Sequence, residues 1–149
     1  MADIERHAQA HWSGDLRTGS GKTSTHSGAL KDVAYSVPSR FENGKGTNPE
    51  ELIAAAHASC FTMMLAKILG DQKKAPKDIS TKATLTLSQR IGEWKIWKIH
   101  LETEASGEGI DEDTLKRAAE QAKEKCPVSV LLKPGLEIIT VGVRLTPGA

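Results

Sequence analysis

The 149 residues suit one domain with a moderate core, and 20 Lys+Arg against 19 Asp+Glu leave a formal net charge of +1. Lysines scattered among acids form no basic face, which argues against a nucleic-acid partner. The opening MADIERHAQAHW has no basic stretch leading into an apolar run, so the expectation is a cytoplasmic protein whose two cysteines are thiols or a redox pair.

In chain order, residues 7–12 (HAQAHW), 22–27 (KTSTHS) and 33–37 (VAYSV) read as short strands separated by SGD and TGSG turns. FENGKGTNP follows as a loop. The first long helix has clear start signals: Asn48 as cap, Pro49 at the first helical position and Glu51 three residues after the cap. Glu50 and Glu51 both sit near the positive end of the helix dipole. Apolar residues at 52, 53, 56, 60, 61, 64, 65 and 68 cover more than one face, and Ala54, Ala55, Ala56, Ala58 and Ser59 are small. The pattern predicts a long, largely buried central helix, open to close approach by another backbone and ended by Gly70. Leu52 to Leu69 has the length of a short membrane span but contains His57, Ser59, Thr62 and Lys67, so a core helix and no membrane are expected.

Residues 79–105 read as a hairpin, with ISTKATLTLSQRI and WKIWKIHLETEA alternating about a turn at Gly92-Glu93. Trp12, Trp94 and Trp97 are read as sheet-packing residues. A second helix starts at Asp111 as cap, with Ile110 and Leu115 placed to staple its entry, and Leu115, Ala119, Ala122 and Cys126 recur at helical spacing. Pro127 breaks that helix or starts a short new one, KPG turns, and LEIITVGVRL is the last strand. This order gives a single α+β domain over 1–149 with a mostly antiparallel sheet.

Free cysteine is among the most buried residue types, so the plain reading of Cys60 and Cys126 is two small core hydrophobes. Two features support chemistry instead. Cys126-Pro127 puts a thiol where a helix begins, a position that lowers thiol pKa. Both cysteines also project from apolar faces toward one core, where a sulfenate-then-disulfide cycle is open to them. His57 shares the helical face of Cys60, as a nucleophile partner, as part of a metal site, or as a core-edge or interface histidine that hydrogen-bonds a neighbour; the last reading is preferred. No CxxC occurs and zinc usually wants four ligands, so no metal is expected.

GTNPEELIAAAHASCF and KCPVS, together with AHWSGD, STHSGAL, SRFENGKGTNPEEL and GID, resemble the OsmC/Ohr family of osmotically inducible and organic-hydroperoxide-resistance proteins. The likeness runs through nearly the whole chain in order and is nearer the OsmC branch. It implies an OsmC-like fold, an intertwined homodimer, and a thiol peroxidase using neither metal nor haem. The expected partners are a hydroperoxide substrate and an external thiol or dithiol reductant. By the same resemblance Cys60 matches the peroxidatic cysteine, Cys126 the resolving one, and Glu50 the glutamate of the Asn-Pro-Glu element. Arg40 in SRFE matches the arginine of the OsmC branch, and Arg17 in GDLRTG lies near that of the Ohr branch; Arg40 is preferred.

Glu50 and Cys60 stand ten residues apart, about 15 Å along a straight helix. Glu50 is therefore expected to serve the Cys60 of a second subunit across a two-fold axis. Two other readings remain open: a thiol–disulfide oxidoreductase, and a non-catalytic oxidant-sensing or ligand-binding protein.

Overall fold

The computed structural model describes residues 2–147 in two compact units, one up to Leu52 and one from Ile53 onward. In the first, β1 (Ala8–Ser13), β2 (Ser20–Thr25) and β3 (Val33–Tyr35) form an antiparallel meander. The Trp12 and Tyr35 rings meet at 5.5 Å over Gly21. Among the described residues of this unit no apolar side chain is buried; Ser39, Thr47 and Glu50 are.

The strand expected over 33–37 stops at Tyr35, and a helix, α1 (Val37–Phe41), takes the place of strand end and loop start. Ser36 and Ser39 cap it reciprocally, each side chain accepting the other's backbone N–H, and Pro38 presets helical φ in the first turn. Arg40 is thereby fixed in the last turn of this helix. The segment after α1 folds back onto β3: Thr47 N–H donates to Ala34 O at 2.9 Å. Gly46 permits this, with φ +117° and a site where a Cβ would stand 2.4 Å from that same oxygen.

α2 (Pro49–Asp71) buries His57, Phe61, Leu65, Ile68 and Leu69, while Ala55, Ala56, Ser59 and Met63 are exposed, Met63 by 75%. The expectation of a largely buried helix is corrected here: one chain covers a single face, because the helix is apolar on more sides than its own sheet and α3 (Glu112–Lys125) can meet. Gly70 is also not the terminator. The helix continues to Asp71, and Lys73 takes the left-handed conformation (φ +59°) while Lys74 N–H reaches Leu69 O.

β4 (Asp78–Arg90) and β5 (Glu93–Ser106) pair antiparallel about Ile91 and Gly92, both at positive φ, one residue earlier than the expected turn. Asp111 caps α3, its carboxylate accepting from Thr114 N–H at 2.7 Å. Ile110 and Leu115 are both buried. α4 (Pro127–Leu132) and a turn of 3-10 helix then lead to β6 (Ile138–Leu145), which joins β5 in parallel. The single mostly antiparallel sheet is thus corrected to two three-stranded sheets, the second mixed, because a long helical crossover returns the chain in the direction of β5. Phe61, Leu65, Ile99, Leu101, Leu115, Ala118, Ala119, Ala122 and Cys126 make the core of this unit.

Candidate active site

Cys60 and Cys126 are free thiols placed together by α2 and by the joint between α3 and α4. Cys126 closes α3, donating its N–H to Ala122 O at 2.9 Å, and is also the first flanking residue of α4, with Pro127 behind it. The Cys126 thiol and the Val128 N–H lie close enough to Cys60 to act on its titration. Cys126 is wholly buried; Cys60 is half-buried and so the more accessible of the pair. Burial, and then the neighbouring Cys126 thiol, push the Cys60 pKa up, opposed by the Val128 N–H. A single chain therefore holds Cys60 as a resting thiol at neutral pH.

One turn before Cys60, His57 is fully buried with Nε2 2.7 Å from Ser129 Oγ on α4. Its Nδ1 finds no partner among the described residues. Burial lowers its pKa below the ordinary 6.5. The unfolded chain therefore binds a proton here before the folded chain does. The stability that the neutral imidazole contributes is complete above 6.5 and is lost as pH falls below it toward the lowered folded value. Urea unfolding at about pH 7.5 and about pH 5.5 should show the wild type losing more stability on acidification than His57→Gln. Equal losses would contradict this.

A second polar pair lies at the start of α2. Arg40 Nε donates to Glu50 Oε1 at 3.0 Å and Oε2 at 3.3 Å, and Nη2 donates to Oε1 at 2.7 Å. Glu50 is buried, and Arg40 is exposed on its other edge. These hydrogen bonds use Nε and Nη2, and the guanidinium stands 5.2 Å over the Phe41 ring. The adjacent glutamates divide their tasks. Glu51 N–H takes the Asn48 cap at 2.7 Å and its carboxylate accepts from Thr47 Oγ1, leaving Glu50 to the guanidinium. Arg17 lies exposed in the β1–β2 turn, which Asp15 organises by accepting from Thr18 N–H at 2.8 Å.

The four site residues expected from the sequence are thus brought together as two pairs, Cys60 with Cys126 and Arg40 with Glu50. Ser129 and Val128 were not foreseen; no local pattern marks a serine whose partner is 72 positions away. Among the described residues no group of three or more His, Cys, Asp or Glu could hold a metal ion.

The sequence pattern of the family described as OsmC-like protein matches residues 42–141. The Escherichia coli (strain K12) protein named Peroxiredoxin OsmC is 45% identical over 130 residues, covering 87% of this chain and 91% of that one. A Xanthomonas axonopodis pv. citri organic hydroperoxide resistance protein is 30% identical over 110 residues, 72% of this chain and 75% of that one. The crystal structure of an organic hydroperoxide resistance protein OsmC from Legionella pneumophila superposes with a TM-score of 0.72 at 26% identity, covering 96% and 98% of the two chains. On its sequence and its fold, this chain belongs to the OsmC-like family.

Proposed function

We propose that the chain is a cytoplasmic, thiol-dependent hydroperoxide reductase working through Cys60 and Cys126. The observation that carries this reading is the convergence of two free thiols, half-buried Cys60 packing against the core cluster that contains wholly buried Cys126. The names of the relatives, peroxiredoxin and organic hydroperoxide resistance protein, point to the same substrate class. In the proposed cycle the Cys60 thiolate attacks the peroxide, the O–O bond breaks, and one oxygen passes to sulfur. The other leaves as an alkoxide and takes up a proton to become the alcohol. Cys126 then condenses with the sulfenic acid on Cys60, releasing water and forming the disulfide, which protects Cys60 from further oxidation. An external thiol or dithiol reopens the bridge.

The raised pKa of Cys60 calls for a cation, and Glu50, which holds a guanidinium, stands ten residues before Cys60, about 15 Å along the axis of α2. We assign that cation to Arg40 of a second copy of this chain in a homodimer. Two features support a partner copy. The small-residue face of α2 is uncovered, and the three-stranded sheet of the first unit buries no apolar side chain among the described residues. Such a sheet is marginal without cover. In that dimer the partner's guanidinium stabilises the thiolate and donates to the peroxide oxygens, while Glu50 keeps its edge aligned.

The test is hydroperoxide-dependent consumption of a dithiol. One dithiol oxidised per peroxide over many turnovers is expected. A single stoichiometric oxidation without turnover would make the protein a sensor, and no oxidation would overturn the reading.

A further inference from the structure

The cycle above leaves one buried polar pair unused, His57 with Ser129. His57 precedes Cys60 by three residues on α2, and Ser129 follows Cys126 by three on α4. The 2.7 Å hydrogen bond therefore bridges the same two helices as the thiol pair, one helical turn away along each. α4 needs such a bridge. It has six residues, too few to persist alone, and no side-chain cap, and it exposes Val130 by 57% and Leu131 by 75%. Its inward contacts are Val128 and Leu132 on the core and the wholly buried Ser129. Apolar packing of that kind is non-directional and lets a short helix slide or rotate. A hydrogen bond between side chains near van der Waals closure does not.

We propose that the His57–Ser129 hydrogen bond is a positioning clamp for disulfide closure, holding α4 in register with α2 so that the Cys126 sulfur stays within reach of an oxidised Cys60. The proposal rests on the Cys60–Cys126 reading. Its physical reason is what oxidation does to the other contacts. In the reduced chain Cys60 packs against the core cluster that holds Cys126, with Val128 of α4 beside it. Inserting an oxygen at that sulfur alters this packing at the moment when alignment matters. The His57–Ser129 bond touches neither sulfur and persists. It also explains a polar pair inside an apolar core: an aliphatic pair could fill the space without leaving Nδ1 bare, but would not fix the register. The step served is Cys60–SOH plus Cys126–SH giving the S–S bond and water: the S–O bond breaks, and the hydroxyl leaves with the Cys126 proton.

Rapid mixing with one equivalent of an alkyl hydroperoxide separates loss of the Cys60 thiol from closure of the disulfide, each read by alkylation trapping and mass spectrometry. Ser129→Ala should leave the first phase near the wild-type rate, slow closure by about 10- to 100-fold, and raise the yield of Cys60 sulfinic acid when peroxide is in excess. Ser129→Thr, which keeps the hydroxyl, should restore closure. His57→Leu combined with Ser129→Ala should be no slower than either alone, because each removes the same bond. Closure at the wild-type rate in Ser129→Ala, equal slowing of both phases, or failure of that variant to fold would each overturn the clamp. A wild type that forms no Cys60–Cys126 disulfide would instead remove the functional reading beneath it.

Discussion

Cys60→Ser should lower hydroperoxide consumption by about 10³-fold or more, to the background rate of the dithiol itself, because the substitution removes the nucleophile rather than tuning it. Cys126→Ser should behave differently. Its Cys60 still attacks once, so the first turnover survives, and the sulfenic acid then has no resolving partner and advances to sulfinic and sulfonic acid as peroxide accumulates. The asymmetry follows from exposure: Cys60 is half-buried and Cys126 wholly buried, so peroxide meets Cys60 first. Single-turnover alcohol release, followed in both variants, checks the assignment. A burst retained in Cys60→Ser and lost in Cys126→Ser would reverse the roles.

The second large effect concerns charge. Arg40→Ala should slow attack on peroxide by about 10²-fold, the scale for losing an aligned donor to developing negative charge. It should also move the pH midpoint of Cys60 reactivity upward. The sign follows from the thiolate: burial and Cys126 already hold the Cys60 pKa high, a guanidinium brings it down, and removing that guanidinium lets it rise. Arg40→Lys should recover part of the rate, since an ammonium supplies charge but cannot present Nε and Nη2 together to Glu50 as Arg40 does at 3.0 and 2.7 Å. Arg17→Ala should leave the pH profile in place. The pH dependence of Cys60 alkylation in the three variants decides between the two arginines; a shift in Arg17→Ala alone would transfer the role.

What could be read from the sequence was local. Asn48, Pro49 and Glu51 announce the start of α2 because capping is settled within four residues; Asn48 caps the Glu51 N–H and Pro49 opens the helix, while the Glu51 carboxylate turns to Thr47 Oγ1. Asp111 with Leu115, and Cys126 with Pro127, mark the two ends of α3 for the same reason. The helix α1 escaped notice because its reciprocal cap pairs Ser36 with Ser39 rather than with Glu or Gln, and five residues carry no periodicity. The parallel setting of β6 is written in the length and route of the crossover, not in LEIITVGVRL, whose alternation suits either direction. The exposed face of α2 had the opposite problem. Its composition signals burial, but the chain leaves Ala55, Ala56, Ser59 and Met63 exposed. For His57 the residue type pointed to a hydrogen bond at a core edge or interface; the fold buries it fully and names Ser129 as the partner.

The claim on which the account turns is that Cys60 of one chain works with the Arg40–Glu50 pair of another. Mixed dimers of a Cys60→Ser chain and a Glu50→Ala chain test it directly. Such a dimer has one site lacking both residues and one site with both intact, provided that the site is shared between chains. Turnover near half that of the wild type is the expected result, although neither homodimeric variant is efficient. If Glu50 served the Cys60 on its own helix, both sites of the mixed dimer would be damaged. Activity no higher than that of the homodimeric variants would then contradict the account.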